Sequence, residues 1–288
     1  MTDNYKGQIY FGDNLSILPK FESGSIKLIY IDPPFNTGKV QTNNSIKTTQ
    51  SENGIRKGFK GKTYTSISIG SKQYGDEFDD YAAFIIPRLE EAFRLLTPDG
   101  SLYFHIDYRE VHYCKIWLDK IFGRDSFINE IIWAYDYGGK AKTKWPTKHD
   151  NILFYVKDPK NYTFNVGDID REPYMAPGLV GPEKALKGKL PTDTWWHTIV
   201  ATNGAERVDY PTQKPLGVIN RIIRASSNPG DVVLDFFAGS GTVGQSCLNL
   251  DRKFVLVDNN PQAIEVMQKR FEGNPNIEWF VTPLTSKK

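Results

Sequence analysis

From residue 215 onward the chain alternates strictly between two hydrophobic periods, and that alternation limits the folds open to it. A helical stripe runs over 215–227, followed by the turn Asn228-Pro229-Gly230-Asp231. Then come a strand over 232–236, a helix over 242–250, a strand over 253–258 and a helix over 261–271. Strands joined through helices lie parallel, and their helices cover both faces of the sheet. The first half reads the same way. A short strand lies within 7–16 and leads into the turn Gly12-Asp13-Asn14, and an almost uninterrupted apolar strand covers 27–32. Helical spacing spans 77–96, where Pro87 is expected to kink or interrupt the helix. Pro98-Asp99-Gly100 marks a turn before a strand at 102–106. Asp107 with Glu110 predicts a capping box opening a helix that runs to about Phe122 and closes at Gly123, with strands following over 127–135 and 151–157. The fold class is α/β, with a doubly wound, mostly parallel sheet. A length of 288 residues at 39% hydrophobic allows one sizeable core and an inserted lobe.

Two segments break the alternation. Residues 36–75 are rich in Gly, Ser, Thr, Asn and Lys and read as a long loop, functional or mobile. Within 39–73, Lys39, Lys47, Arg56, Lys57, Lys60, Lys62 and Lys72 face a single acid, Glu52. Such a run is either a solvated loop or the partner of an anion. Residues 136–209 carry glycines, prolines, lysines and Trp145, Trp195 and Trp196, and read as an insertion projecting from the sheet. The net charge of +2 says little about partners. No run approaches the ~18 apolar residues of a membrane span, and Met1–Lys6 lack an apolar signal region, so a cytoplasmic protein is expected. Cys114 and Cys247 are too few for a disulfide framework or a zinc cluster. His105, His112, His149 and His197 show no ligand spacing, and no metal is expected.

The apolar run Leu28-Ile29-Tyr30-Ile31 ends in Asp32-Pro33-Pro34-Phe35. A carboxylate, two prolines and a ring make poor core but a good holder for the exocyclic amino group of a planar base. That nitrogen is a weak nucleophile because its lone pair is delocalised into the ring. Asp32 and the Pro33 carbonyl, accepting its two N–H groups, would draw it towards tetrahedral geometry and free the lone pair for an electrophile. The prolines preorganise both acceptors, and Phe35 would stack on the base. Such a base is out of reach inside a duplex and has to be flipped out. The plainer reading is a strand closed by a rigid turn.

The second chemical stretch is Asp235-Phe236-Phe237-Ala238-Gly239-Ser240-Gly241-Thr242, a strand end turning into a helix. Its glycines let a ligand approach the backbone, and the helix start offers free N–H groups. Asp258 ends the next strand nineteen positions after Gly239, where nucleotide-binding α/β folds hold a ribose hydroxyl. A phosphate-binding loop of the Gly-x-x-x-x-Gly-Lys-Ser/Thr kind is absent, and the third dinucleotide glycine is missing. Tyr210-Pro211-Thr212-Gln213-Lys214-Pro215 brackets Thr212 and Lys214 at a helix start, either as cofactor contacts or as simple capping. Asp13 is a further candidate polar contact.

In these residues the chain resembles the amino-methyltransferases of DNA. Asp32-Pro33-Pro34-Phe35 is similar to their catalytic motif and Phe237-x-Gly239-x-Gly241 to their cofactor motif. The catalytic motif comes first and the cofactor motif last, which resembles the beta class, a circular permutation of the Rossmann-like methyltransferase fold. The resemblance covers nearly the whole chain and weakens in 39–75 and 136–205. It implies S-adenosylmethionine as cofactor, held by Asp13, Thr212, Lys214, Asp235, Phe237, Ala238, Gly239, Ser240, Gly241, Thr242 and Asp258. It implies a catalytic half at 1–135, a target recognition region at 136–209 and a cofactor-binding half at 210–288. Lys39, Arg56, Lys57, Lys60, Lys62, Lys140, Lys142, Lys144, Trp145 and Lys148 would meet DNA. Double-stranded DNA is the implied partner, with a homodimer and a cognate restriction endonuclease as further ones. Asp at position 32 favours adenine N6 as the target, with cytosine N4 as the alternative. A nucleic-acid-binding module on a decayed methyltransferase fold is the non-enzyme alternative, against which the intact Asp32, Gly239, Gly241 and Asp258 argue.

Overall fold

The computed structural model describes residues 5–36, 41–50, 56–57, 63–74, 78, 80–137, 141–201 and 204–281; between 41 and 74 it describes the strands by their backbone. In chain order the strands are β1 (Gly7–Phe11), β2 (Ile26–Ile31), β3 (Gln41–Gln50), β4 (Arg56–Lys57), β5 (Thr63–Tyr74), β6 (Leu96–Ile106), β7 (Phe127–Ala134), β8 (His149–Val156), β9 (Thr194–Trp196), β10 (Val232–Asp235), β11 (Lys253–Asp258) and β12 (Ile277–Phe280). The helices are α1 (Asn14–Ile17), α2 (Tyr81–Leu95), α3 (Val111–Phe122), α4 (Pro182–Lys187), α5 (Leu216–Ser226), α6 (Thr242–Asn249) and α7 (Pro261–Arg270). By contacts the chain forms two units, Met1–Pro33 with Ala82–Lys288, and Pro34–Tyr81.

The larger unit is built on a nine-stranded sheet in the order β12-β1-β11-β10-β2-β6-β8-β7-β9. The strands from β12 to β6 run parallel to one another. β8 is antiparallel to both β6 and β7, and β9 runs parallel to β7. The doubly wound, mostly parallel sheet expected from the alternation is therefore present. All six residues of β2 are buried, as a strand covered on both faces requires. α5 places Val218, Ile219, Ile222 and Ile223 in the core, each burial contributing about 1.5–3 kcal/mol. Among the described residues no helix is long and apolar enough to cross a membrane.

Three local expectations change. The Pro98-Asp99-Gly100 turn does not precede β6 but bulges within it: Ile26 pairs with Leu96, and Leu28 already pairs with Ser101. The bulge is held by a Lys27–Asp99 ion pair and by Thr97 Oγ1 donating to Asp99 Oδ1 at 2.9 Å. The capping box at Asp107 and Glu110 does not form. The Asp107 carboxylate is occupied two residues on, accepting from the Arg109 backbone N–H at 3.0 Å and pairing with the Arg109 guanidinium. α3 accordingly starts at Val111 without a side-chain cap. Residues 136–209 do not simply project: β9 joins the sheet edge, and Arg221 of α5 grips Asp170 with two bonds of 2.9 and 2.6 Å.

In the smaller unit, residues read as a loop form a three-stranded antiparallel sheet in the order β3-β5-β4. β3 and β5 pair from Gln41↔Tyr74 to Gln50↔Tyr64. The Thr, Tyr and Ile content of Thr63-Tyr64-Thr65-Ser66-Ile67 suits a pleated backbone. The Gly, Lys and Asn around it hide that preference. Near the start and end of this unit, Tyr81 Oη donates to the Pro34 carbonyl at 2.8 Å and the Phe78 N–H to Asn36 Oδ1 at 3.2 Å.

Candidate active site

β10 and β2 are neighbours, but the chain leaves them in opposite directions. From β10 it passes through α6 to β11 on one side; from β2 it passes through α2 to β6 on the other. The carboxyl ends of two such strands border the crevice in which open α/β sheets bind ligands. Asp32 follows β2 directly, Asp235 ends β10 and Asp258 ends β11. β8 runs the other way, so its beginning brings Asp150 to the same edge, beside His105 of β6.

Asp32 is held asymmetrically. Its Oδ2 pairs with Lys214 Nζ, while its buried Oδ1 has no hydrogen-bond partner among the described residues. A buried acceptor without a donor is costly unless a ligand supplies one. Lys214 thus lies against the carboxylate expected to do catalysis. Thr212 is exposed and holds φ 59°, a conformation that a β-branched residue adopts only under constraint.

The cofactor stretch forms the turn that its glycines imply. Gly239 has φ 50° and Gly241 φ 73°. A Cβ on Gly239 would lie 3.0 Å from the Tyr210 ring, and one on Gly241 would lie 2.8 Å from Met267 Cγ. Gly241→Ala is therefore expected to lower stability by about 1–2 kcal/mol from the left-handed backbone alone, read as a lower denaturant midpoint. A midpoint equal to wild type would show that the turn relaxes freely. Asp258 accepts the Gly239 N–H at 2.7 Å and the Asn260 N–H at 2.8 Å. Burial pushes its carboxyl up to about 6, against those backbone bonds. Burial also pushes Asp235 well above the carboxylate range, helped by Asp32 and Asp258. Two carboxyl groups on this edge are thus held above the carboxylate range chiefly by burial, and a cationic ligand would favour their ionised forms. Ser240 and Thr242 share a 2.9 Å bond between hydroxyls, and Thr242 Oγ1 donates to the Lys214 carbonyl at 3.2 Å. Ala238 is buried and Phe237 packs at a tilt beside Phe84.

Asp13 is exposed and paired with Arg88 at 2.9 Å. Arg88 also donates to Asn14 Oδ1 at 2.7 Å, and Asn14 donates to the Phe236 carbonyl at 2.9 Å, tying the first strand's end to the glycine turn. Neither Asn14 nor Arg88 stands out in the sequence, because Arg88 sits in an ordinary amphipathic helix. His105 and Asp150 are likewise invisible to spacing. Pro34 and Phe35 belong to the smaller unit. Of the residues expected at DNA, Lys142 and Lys144 are exposed and Trp145 is 91% exposed, while Lys148 Nζ donates to the Tyr137 carbonyl at 2.5 Å. Arg56 and Lys57 form β4; Lys39, Lys60, Lys62 and Lys140 lie outside the described residues. Cys114 and Cys247 are fully buried, and burial pushes both thiols up, which leaves them core residues.

Residues 26–269 match the DNA methylase family model N6_N4_Mtase, and the chain belongs to that family. It is 32% identical over 263 residues to the type II methyltransferase M.HpaI of Haemophilus parainfluenzae, covering 91% of this chain and 73% of that one. It is 31% identical over 277 residues to the DNA adenine methyltransferase YhdJ of Escherichia coli (strain K12), covering 92% and 82%. Among solved structures, the complex of M1.HpyAVI with SAM superposes with a TM-score of 0.60 at 21% identity, covering 92% of this chain and 99% of that one. The cytosine-N4-specific PvuII DNA methyltransferase superposes at 0.63 and 16%, covering 94% and 88%. The chain is thus a DNA methyltransferase with the fold of the S-adenosylmethionine-dependent enzymes.

Proposed function

We propose that this protein transfers the methyl group of S-adenosylmethionine to the N6 amino group of adenine in duplex DNA, after flipping the base. The observation that carries the proposal is the pairing of Asp32: one oxygen fixed by Lys214, the other buried without a donor. An amino group presents the missing donor. Asp32 Oδ1 and the Pro33 carbonyl accept its two N–H groups, and Lys214 keeps the carboxylate from turning. Phe35, three positions on in the chain, supplies the stacking ring. The cofactor fits the rest of the edge. Asp258 holds the ribose, the Gly239–Gly241 turn allows close approach of the backbone, and the buried carboxyl groups favour a cation. Asp13, Thr212, Asp235, Phe237, Ala238, Ser240 and Thr242 line the remaining contacts. Bound there, S-adenosylmethionine supplies an electrophilic methyl group. No nucleophilic side chain is needed, and the residues orient and polarise the reacting groups and exclude water.

Adenine is favoured over cytosine by Asp rather than Ser before the two prolines and by the similarity to a relative named as an adenine methyltransferase. On the same reading, residues 1–135 and 210–288 supply the catalytic and cofactor halves and 136–209 the target recognition region. Trp145 and the lysines around it face DNA, with the basic residues of 39–62. A homodimer, a cognate restriction endonuclease and a cytoplasmic location complete the proposal. Incubation with DNA of varied sequence and isotopically labelled S-adenosylmethionine, followed by digestion to nucleosides, is expected to yield labelled N6-methyladenine. Labelled N4-methylcytosine would move the base and keep the chemistry. No labelled nucleoside, together with no cofactor binding by calorimetry, would overturn the proposal.

A further inference from the structure

We propose that His105 takes up the proton shed by the methylated amino nitrogen, reached through Asp32 and held ready by Asp150. The inference rests on the amino-methyl-transfer reading above. His105 is fully buried on β6, between two carboxylates, Asp32 directly after β2 and Asp150 on β8. Its Nε2 lies 3.2 Å from Asp150 Oδ2. Its Nδ1 lies 2.7 Å from the Tyr30 hydroxyl and 3.9 Å from Asp32 Oδ1. Lys214 pairs with the other oxygen of Asp32, and Tyr135 Oη donates to the other oxygen of Asp150 at 3.1 Å. The Trp133 ring meets the imidazole edge-on and brings no charge.

These contacts fix the tautomer. Burial pushes the Asp150 carboxyl up, but the bond to His105, the nearby charge of Lys214 and the Tyr135 bond hold Asp150 below the usual carboxylate range. An ionised Asp150 requires a proton on Nε2. Burial, then Asp32, Asp235 and Asp150, push the Tyr30 phenol well above its usual range, so it keeps its proton and donates it to Nδ1. Nδ1 then turns its lone pair to the Tyr30 hydroxyl, beside the catalytic carboxylate.

The step balances as follows. The new nitrogen–carbon bond forms as the donor's carbon–sulfur bond breaks, with its electron pair left on sulfur. The nitrogen, now cationic, gives one proton to Asp32 Oδ1 and keeps the electron pair of that N–H bond. Asp32 passes the proton to Nδ1 and is again a carboxylate. The Tyr30 hydroxyl turns to accept from the new N–H, and Asp150 stabilises the imidazolium.

Two measurements test the assignment. Nitrogen-15 spectra of histidine-labelled free protein, with His105 identified by its loss in His105→Gln or His105→Asn, are expected to show the Nε2–H tautomer at neutral pH. An Nδ1–H tautomer would overturn the proposal. This experiment needs no substrate, so its result is separate from whether adenine is labelled. In single-turnover transfer, to whichever amino base the labelling identifies, His105→Gln should be slower by roughly 100-fold, with cofactor and DNA dissociation constants within about twofold of wild type. Asp150→Asn should move the acidic limb of the rate profile to lower pH, because an amide no longer favours the imidazolium. An unchanged profile in Asp150→Asn would leave His105 a structural residue and overturn the relay, even if His105→Gln does not fold.

Discussion

Asp32→Ala is expected to leave a folded protein that binds cofactor and DNA and transfers almost no methyl group. Asp32 contributes little to the core, since it follows β2 rather than packing within it. Its role is to accept an N–H bond that strengthens as the nitrogen becomes tetrahedral, so its loss falls on the transition state and not on binding. Removing one such preorganised contact costs about 10²–10³ in rate. The variant also strips Lys214 of a carboxylate in a site where its side chain is 11% exposed. Asp32→Asn, which keeps the shape, should therefore accompany it. Label incorporation near the wild-type rate in Asp32→Ala would remove Asp32 from the mechanism.

Asp258→Ala should abolish tight cofactor binding, and wild-type Asp258 should give binding and stability opposite responses to acid. The folded carboxyl sits at about 6, above the ordinary 3.8. Its stabilising contribution is present in full below the unfolded value and is lost as pH rises through the folded value. At neutral pH the buried charge opposes folding by about 3 kcal/mol. Acidification from pH 7 to 4 should thus raise the stability of wild type relative to Asp258→Ala by most of that amount. Cofactor affinity should move the other way, because a protonated Asp258 loses an acceptor for the ribose. The dissociation constant should rise by up to about tenfold per unit below pH 6. Calorimetric titration and denaturant melts of both proteins across that range check the two slopes. An affinity that stays flat through pH 6 would take Asp258 out of the ribose contact.

The features that were readable in the sequence were those written in local pattern. β2 with Asp32 at its end, the glycine turn and Asp258 at the next strand's end follow from periodicity and from residues with few other uses. The sheet at 41–74 was obscured because Lys, Gly and Asn dilute its Thr, Tyr and Ile, and strand pairing is not a local property. The capping box failed because Asp107 found a partner two residues away in Arg109. His105, Asp150, Asn14 and Arg88 share a deeper reason. Each acts across strands or helices that are distant in the chain, and register decides whether they meet.

The pairing of Val233 with Leu28 joins strands about two hundred residues apart. During synthesis the catalytic strand is therefore made early and waits beside an empty place in the sheet. The cofactor crevice cannot form until β10 and β11 have left the ribosome. Slow, long-range closure of this kind exposes apolar strand edges meanwhile. A chain that stops before β10 and β11 therefore has no crevice for a cofactor.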